Sequence, residues 1–279
     1  MLATFLPVRG GRTRPGLTLL ELIVVMAILV AIAAILAPLL PEYLGKGNQS
    51  AGATNAGELE KAIQTFRATY PRHPNYFDSL LTASGALSNL LPGADTTDGV
   101  AGGCLTVYTM KSGPNSRLSR EGITTVYDIL DTVTGTDFNA TMNPYSGSPP
   151  ATRTLAANQK VAVLNVAKIK QGTSALATQL DPNHYYAVFG IGKYCNLCGP
   201  AGIVREPPIF GQPSQQNTPA TTYQRFAAVY DIGLDDTDTS KYNTKFIGVV
   251  AIAPDRLYSS IDLAEGFIEN RFDASAPRK

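Results

Sequence analysis

The 279-residue chain has no tryptophan, only two histidines and only three cysteines. With so few imidazoles, catalysis by a histidine base rests on His73 or His184, and neither lies in a nucleophile motif. His73, flanked by Pro71 and Pro74, reads as a turn residue, and His184 reads as a half-buried polar cap at a strand entrance. The chain also lacks G-x-S-x-G, H-E-x-x-H and phosphate-loop glycine motifs, so an enzyme is not expected and no cofactor is called for. Charge is scarce as well, at 16% of residues with a formal net charge of +1. Three of the basic residues, Arg9, Arg12 and Arg14, precede residue 17, which leaves 20 basic against 22 acidic residues in the remainder. That balance carries no basic footprint for nucleic acid.

Three cysteines are too few for a disulfide framework. Cys195 and Cys198 form a C-x-x-C in the string CNLCGP, and Cys104 stands far upstream. Three readings stay open. In an oxidising compartment a disulfide is the expected outcome, within the pair or from Cys104 to one member. Free thiols are the second reading, and the third is a metal site completed by Cys104 and His184, for which no second C-x-x-C exists. No metal site is expected. A thioredoxin-like role would need a βαβ context that is missing.

What the sequence has in quantity is one apolar run. From Leu22 to Leu40 nineteen residues carry neither charge nor a hydrogen-bonding side chain. As a helix they measure about 28 Å, close to the hydrocarbon thickness of a bilayer. The three arginines before the run predict that the N-terminus stays in the cytoplasm and residues 42–279 lie outside it. A secretory signal has a shorter core followed by a small-residue cleavage site, whereas here the small residue, Gly16, comes first. Glu21 sits one turn inside the run, where an uncompensated acid costs about 2.5–3.5 kcal/mol near a helix centre, so a partner is expected.

The order Gly16, Leu17, Thr18, Leu19, Leu20, Glu21 and then Leu22–Leu40, after a short basic leader, resembles the type IV prepilin and type II secretion pseudopilin superfamily. Pro38 stands where many members carry a helix-kinking proline, and Leu17 replaces the more frequent phenylalanine. The resemblance covers about residues 9–44. It implies cleavage by a prepilin peptidase between Gly16 and Leu17, N-methylation of Leu17, and assembly through Thr18, Glu21 and the helix that carries them. Its implied partners are that peptidase, other pilin or pseudopilin subunits, an inner-membrane assembly platform and membrane lipid.

Beyond the run, Pro41, Gly45, Gly47, Gly52 and Gly57 predict a hinge or loosened helix over 41–54, since each glycine costs a helix about 1 kcal/mol against alanine. Leu59, Ile63, Phe66 and Tyr70 then recur at helical spacing, with Asn55 and Glu58 at capping-box spacing, and Pro71 ends the pattern. A short helix is expected from about Asp78 to Leu91, with Phe77, Leu80, Leu81, Leu87 and Leu91 inward. Strands are expected at Cys104–Met110, Ile123–Leu130 (or helix), Val161–Ile169, Tyr185–Ile191, Tyr223–Ile232 and Phe246–Ile252, with long loops at 92–102, 141–154 and 199–220. Asp231, Asp235, Asp236 and Asp238 read as a solvated hairpin tip, with calcium as the alternative; they do not match an EF-hand.

The expected fold is therefore α+β, a long N-terminal helix, transmembrane and then amphipathic, packed on an antiparallel sheet with long loops, and pilin-like by resemblance. The expected organisation is a leader over 1–16, a transmembrane and assembly helix over 17–40, a glycine-rich connector over 41–54 and one extracytoplasmic domain over 55–279. The expected function is that of a structural subunit of a pilus or secretion pseudopilus in the cytoplasmic membrane. A single-pass periplasmic binding or enzymatic domain is the alternative.

Overall fold

A computed structural model describes residues 19–37, 40–94, 97–129, 151–171, 174–210, 222–240 and 243–264. The chain divides into two compact units, Met1–Tyr43 and Leu44–Lys279. In the first, α1 runs over Leu19–Leu36, and none of its residues is buried. Helix α2, Leu40–Thr69, passes from the first unit into the second.

The second unit is built on a mixed sheet. Its strands are β1 (Phe77–Asp78), β2 (Leu105–Thr109), β3 (Thr125–Tyr127), β4 (Thr152–Thr154), β5 (Lys160–Leu164), β6 (Tyr185–Gly190), β7 (Phe226–Gly233), β8 (Lys245–Ile252) and β9 (Leu257–Ser259). They lie in the order β4-β3-β1-β6-β7-β8-β9, with β5 also paired to β6 and β2 to β5. Strands β6, β7 and β8 form the centre, and nearly every residue of β6 and β7 is buried. Alternation sends Phe189, Phe226, Ala228, Tyr230, Val249 and Ala251 to one face, with Ala56, Leu59, Ile63 and Phe66 of α2. Tyr186, Val188, Ala227, Val229, Val250 and Ile252 point to the other, where Leu80, Leu81, Leu91, Ala101, Leu176 and Leu257 cover them. Strands buried on both faces read as near-continuous apolar runs, which is why these three were visible in the sequence.

Several expectations need correction, among them the loop expected over 141–154, which ends in β4. The sheet is not wholly antiparallel: β1 and β3 pair in parallel, Phe77 with Val126 and Asp78 with Tyr127. The segment linking them, residues 79–124, supplies the long crossover that a parallel pair needs.

The helix expected over Asp78–Leu91 is absent. Ser79 Oγ accepts from Leu81 N at 3.1 Å, Ser88 Oγ accepts from Leu90 N at 3.1 Å, and a tight turn joins Leu81 to Leu87. Hydroxyls that bond nearby backbone compete with the helix ladder. Leu80, Leu81 and Leu91 are nonetheless buried as expected, while Leu87 is half-buried.

The connector over 41–54 is helical, because α2 is continuous from Leu40. Its glycine penalty is offset by packing: a Cβ at Gly52 would stand 2.8 Å from the Phe210 ring, so glycine lets that ring lie against the helix. Asn55 and Glu58 are consequently interior helix residues and not a capping box. Tyr70, expected inward, is 48% exposed just past the helix end, its ring tilted at 42° with its centroid 4.8 Å from that of Phe66.

The strand expected over Val161–Ile169 stops at Leu164, and α4 occupies Val166–Gln171. Asn165 turns the chain: its Oδ1 accepts from Lys168 N at 3.2 Å, an N-cap geometry. Helix α3, Ser112–Arg120, was not expected at all. Its sequence SGPNSRLSR offers one large apolar residue, Leu118, too few to show a period, and Pro114 is tolerated in the first turn.

Candidate functional site

Of the residues that carry the N-terminal motif, Gly16, Leu17 and Thr18 lie outside the described residues, as do Pro38 and the leader. Glu21 is described, in the first turn of α1, where the positive end of the helix dipole favours a carboxylate. The eighteen residues of α1 are long and apolar enough to cross a membrane, and it is the one such helix among the described residues. Its length is about 27 Å at 1.5 Å per residue. Apolar side chains project on every side, from Leu19 at 76% exposure to Ile35 at 68%. A helix apolar all round is a buried core helix or a membrane span.

The C-x-x-C folds into a closed loop. Cys198 N donates to Cys195 O at 2.8 Å, Val204 N to Leu197 O at 3.0 Å, and Gly199 N to Val204 O at 2.9 Å. No disulfide joins Cys104, Cys195 and Cys198 in the structure. Cys104 is also on the wrong face to reach the pair: it packs with Leu105 and Leu257 on one side of the sheet, whereas Cys195 packs with the α2 side. Burial pushes the Cys195 thiol well up, with Cys198 adding to it, and pushes Cys198 up to about 12. Cys104 is raised as well, chiefly by burial. None of the three is a thiolate at neutral pH, so none is poised as a nucleophile.

The reading in which Cys104 and His184 join the C-x-x-C at a metal finds no support, because Cys104 and Cys195 pack on opposite faces of the sheet. Among the described residues no group of three or more His, Cys, Asp or Glu could hold a metal ion.

The aspartates of 231–238 are not a solvated tip. Arg117 of α3, wholly buried, donates to Ile232 O at 2.8 Å, Leu234 O at 3.0 Å and Asp236 Oδ1 at 2.6 Å. Lys111 Nζ lies 2.9 Å from Asp235 Oδ2, and Tyr108 also donates to Asp235. Burial alone would raise the Asp235 pKa, but the hydrogen bonds from Tyr108 and Lys111 outweigh it and lower it. Asp231 accepts from Gly233 N at 2.7 Å. Asp235 and Asp236 thus tie β2 and α3 to the end of β7, while Asp231 and Asp238 bond Gly233 and Ser240 in their own turns.

His73 is a core residue rather than an exposed turn. It is 1% exposed, its ring meets Tyr230 edge-on at 5.0 Å, and its pKa falls to about 4 through burial and the nearby positive charge of Arg67. The Glu121 carboxylate 3.7 Å from Nε2 is itself paired with Arg67 at 3.3 Å. The imidazole is therefore neutral at pH 7.

A further buried polar group escaped sequence reasoning. Tyr223 Oη donates to Asp78 Oδ2 at 2.7 Å in the sheet interior. A Cβ at Gly190 would strike Tyr223 Oη at 1.9 Å, and one at Gly192 would strike the Asp78 carboxylate at 2.2 Å. Two glycines in GIGKYC were the available signal, since strand glycines mark close approach. Comparison with family models, curated proteins and solved structures returned no match to this chain.

Proposed function

We propose that the chain is a non-enzymatic structural subunit of a type IV pilus or type II secretion pseudopilus. It is made with its N-terminus in the cytoplasm, trimmed after Gly16 by a prepilin peptidase, N-methylated at Leu17 and assembled through α1. The observation that carries this reading is the sequence Gly16-Leu17-Thr18-Leu19-Leu20-Glu21 between a basic leader and an uninterrupted apolar run. The all-round apolar surface of α1 supports it, because such a helix needs lipid or like helices around it. So does the separation of α1 from a domain with its own two-faced core. The test is co-expression with a prepilin peptidase and mass spectrometry of the mature protein. A methylated N-terminus at Leu17 is expected, and an uncut chain or one beginning at another residue sinks the reading.

Cleavage also gives Glu21 a role. It creates an ammonium group on Leu17 four residues away, and staggered packing would bring the amine of one subunit to Glu21 of its neighbour. A subunit out of register would leave a buried acid unpaired, so the pairing selects register more than it adds stability. Glu21→Gln is expected to leave cleavage and the globular domain unchanged while lowering the sheared, assembled fraction at least severalfold. Assembly at the wild-type level would remove Glu21 from this role.

A further inference from the structure

We propose that the cleft between the end of α2, the 70–76 turn and the CNLC loop is a binding site for a hexose-based oligosaccharide. The cleft measures about 630 Å³ and lies wholly within the second unit. Tyr70, Arg72, His73, Tyr76, Asn196 and Ile203 line it. Nothing in this inference depends on how the chain is processed or assembled.

The first argument is Tyr76. Its φ is +63°, a region that suits glycine or asparagine and that a bulky side chain rarely adopts. The fold dictates this reversal: Asn75 Oδ1 accepts from Thr124 N at 3.1 Å and Thr125 N at 3.0 Å, while the next residue, Phe77, enters the core. The fold does not dictate a tyrosine. Its ring is 40% exposed at the cleft rim, tilted 5.9 Å from Tyr127. A large aromatic held out of the core where a glycine would be easier points to something outside the fold.

The second argument is the chemistry of the lining. Tyr70, 48% exposed, gives a second aromatic face, and Ile203, 44% exposed, extends the apolar surface. Asn196 Oδ1 accepts from Asn75 N at 2.7 Å, which fixes the amide and leaves its Nδ2 without a partner among the described residues. The Arg72 guanidinium likewise has no hydrogen bond or ion pair among them, and a Cβ at Gly122 would stand 2.9 Å from Arg72 Cβ, so that glycine seats the arginine stem. Aromatic faces suit the C–H faces of a sugar ring, while planar amide and guanidinium donors and phenolic hydroxyls suit its hydroxyls.

The third argument is charge. Arg72 is the one formally charged residue of the lining, since the buried His73 in the floor is neutral. A polyanion would want several cations, so a neutral, hydroxyl-rich ligand fits better.

The test uses the full chain in a zwitterionic detergent without a sugar head group. Cellohexaose, chitohexaose and maltohexaose are titrated separately, with tyrosine fluorescence and ligand-observed NMR as readouts, and oligogalacturonate and a random peptide pool as controls. At least one neutral hexaose is expected to bind. Tyr76→Gly and Tyr70→Ala should each weaken it by about tenfold, a shift that Arg72→Ala should approach. The melting temperature of Tyr76→Gly should be unchanged or higher, because the left-handed backbone is relieved; Tyr76→Asn repeats the test with a residue that tolerates that backbone. Binding of no neutral hexaose, or equal binding by wild type and both tyrosine variants, overturns the proposal. So does binding of oligogalacturonate or peptide in place of the neutral sugars.

Discussion

Helices α1 and α2 follow one another in the chain and are governed by opposite rules. In α1 apolar residues face every direction and none is buried. In the later part of α2 they keep to a stripe: Ala56, Leu59, Ala62, Ile63 and Phe66 are buried, while Glu58, Lys61, Gln64 and Arg67 are exposed. The apolar stripe commits α2 to a sheet within its own chain, whereas α1 is apolar on every side and shows no such stripe. The distribution of apolar residues, more than their number, separates a core helix from a membrane or assembly helix.

The largest effect that would test this contrast comes from matched truncations. Leu59→Ala should destabilise the globular domain by about 2–5 kcal/mol, because it opens a cavity between α2 and the sheet. Leu29→Ala in α1, 59% exposed, should leave the thermal unfolding of that domain unchanged. Equal losses from the two, measured by denaturation of the detergent-solubilised chain, would erase the distinction.

The next effect tests the end of the α2 stripe, where His73 sits among Tyr230 and Phe246. Its folded pKa of about 4 lies below the ordinary histidine value of 6.5, so the unfolded chain binds the proton more tightly. Stability from this group is full above pH 6.5 and falls as pH drops toward 4, by on the order of 3 kcal/mol in all. His73→Phe should flatten that part of the pH–stability curve. An unchanged slope in the variant would assign the acid sensitivity elsewhere.

The smallest effects separate the glycines of α2. A Cβ at Gly47 or Gly57 meets nothing within 4 Å, so alanine at either should stabilise by about 1 kcal/mol through helix propensity. Gly52→Ala should instead destabilise, since its Cβ must displace the Phe210 ring. Differential scanning calorimetry of the three variants would show whether the signs differ.

These glycines also show why part of the fold was hidden in the sequence. Propensity is local, and it marked 41–54 as a weak helix; the Phe210 ring that rewards Gly52 comes from more than 150 residues away. The central strands were legible because β6, β7 and β8 are long apolar runs, but β1, β4 and β9 span two or three residues and carry no pattern. Ser79 and Ser88 misdirected the reading of 78–91, since leucine spacing says nothing about hydroxyls that capture the backbone. Arg117 was invisible for a similar reason: its partners, the carbonyls of Ile232 and Leu234, belong to another segment. The residues of the N-terminal motif are consecutive in the chain and need no tertiary contact to be noticed. The tyrosine cleft was not legible, because the end of α2, the 70–76 turn and the CNLC loop meet only in the fold.

The position of α2 ahead of every strand it packs against has a consequence for biogenesis. Phe66 leaves the ribosome about 180 residues before Val249, one of the β8 residues that share its face of the sheet. At about 5–20 residues per second, that interval lasts on the order of ten to forty seconds. Through that time the apolar stripe of the nascent chain has no native cover, and β1, with β3 beside it, cannot join the centre of the sheet until β6 has been made. The apolar face of residues 56–66 is thus open to non-native contacts for as long as β6, β7 and β8 remain to be synthesised.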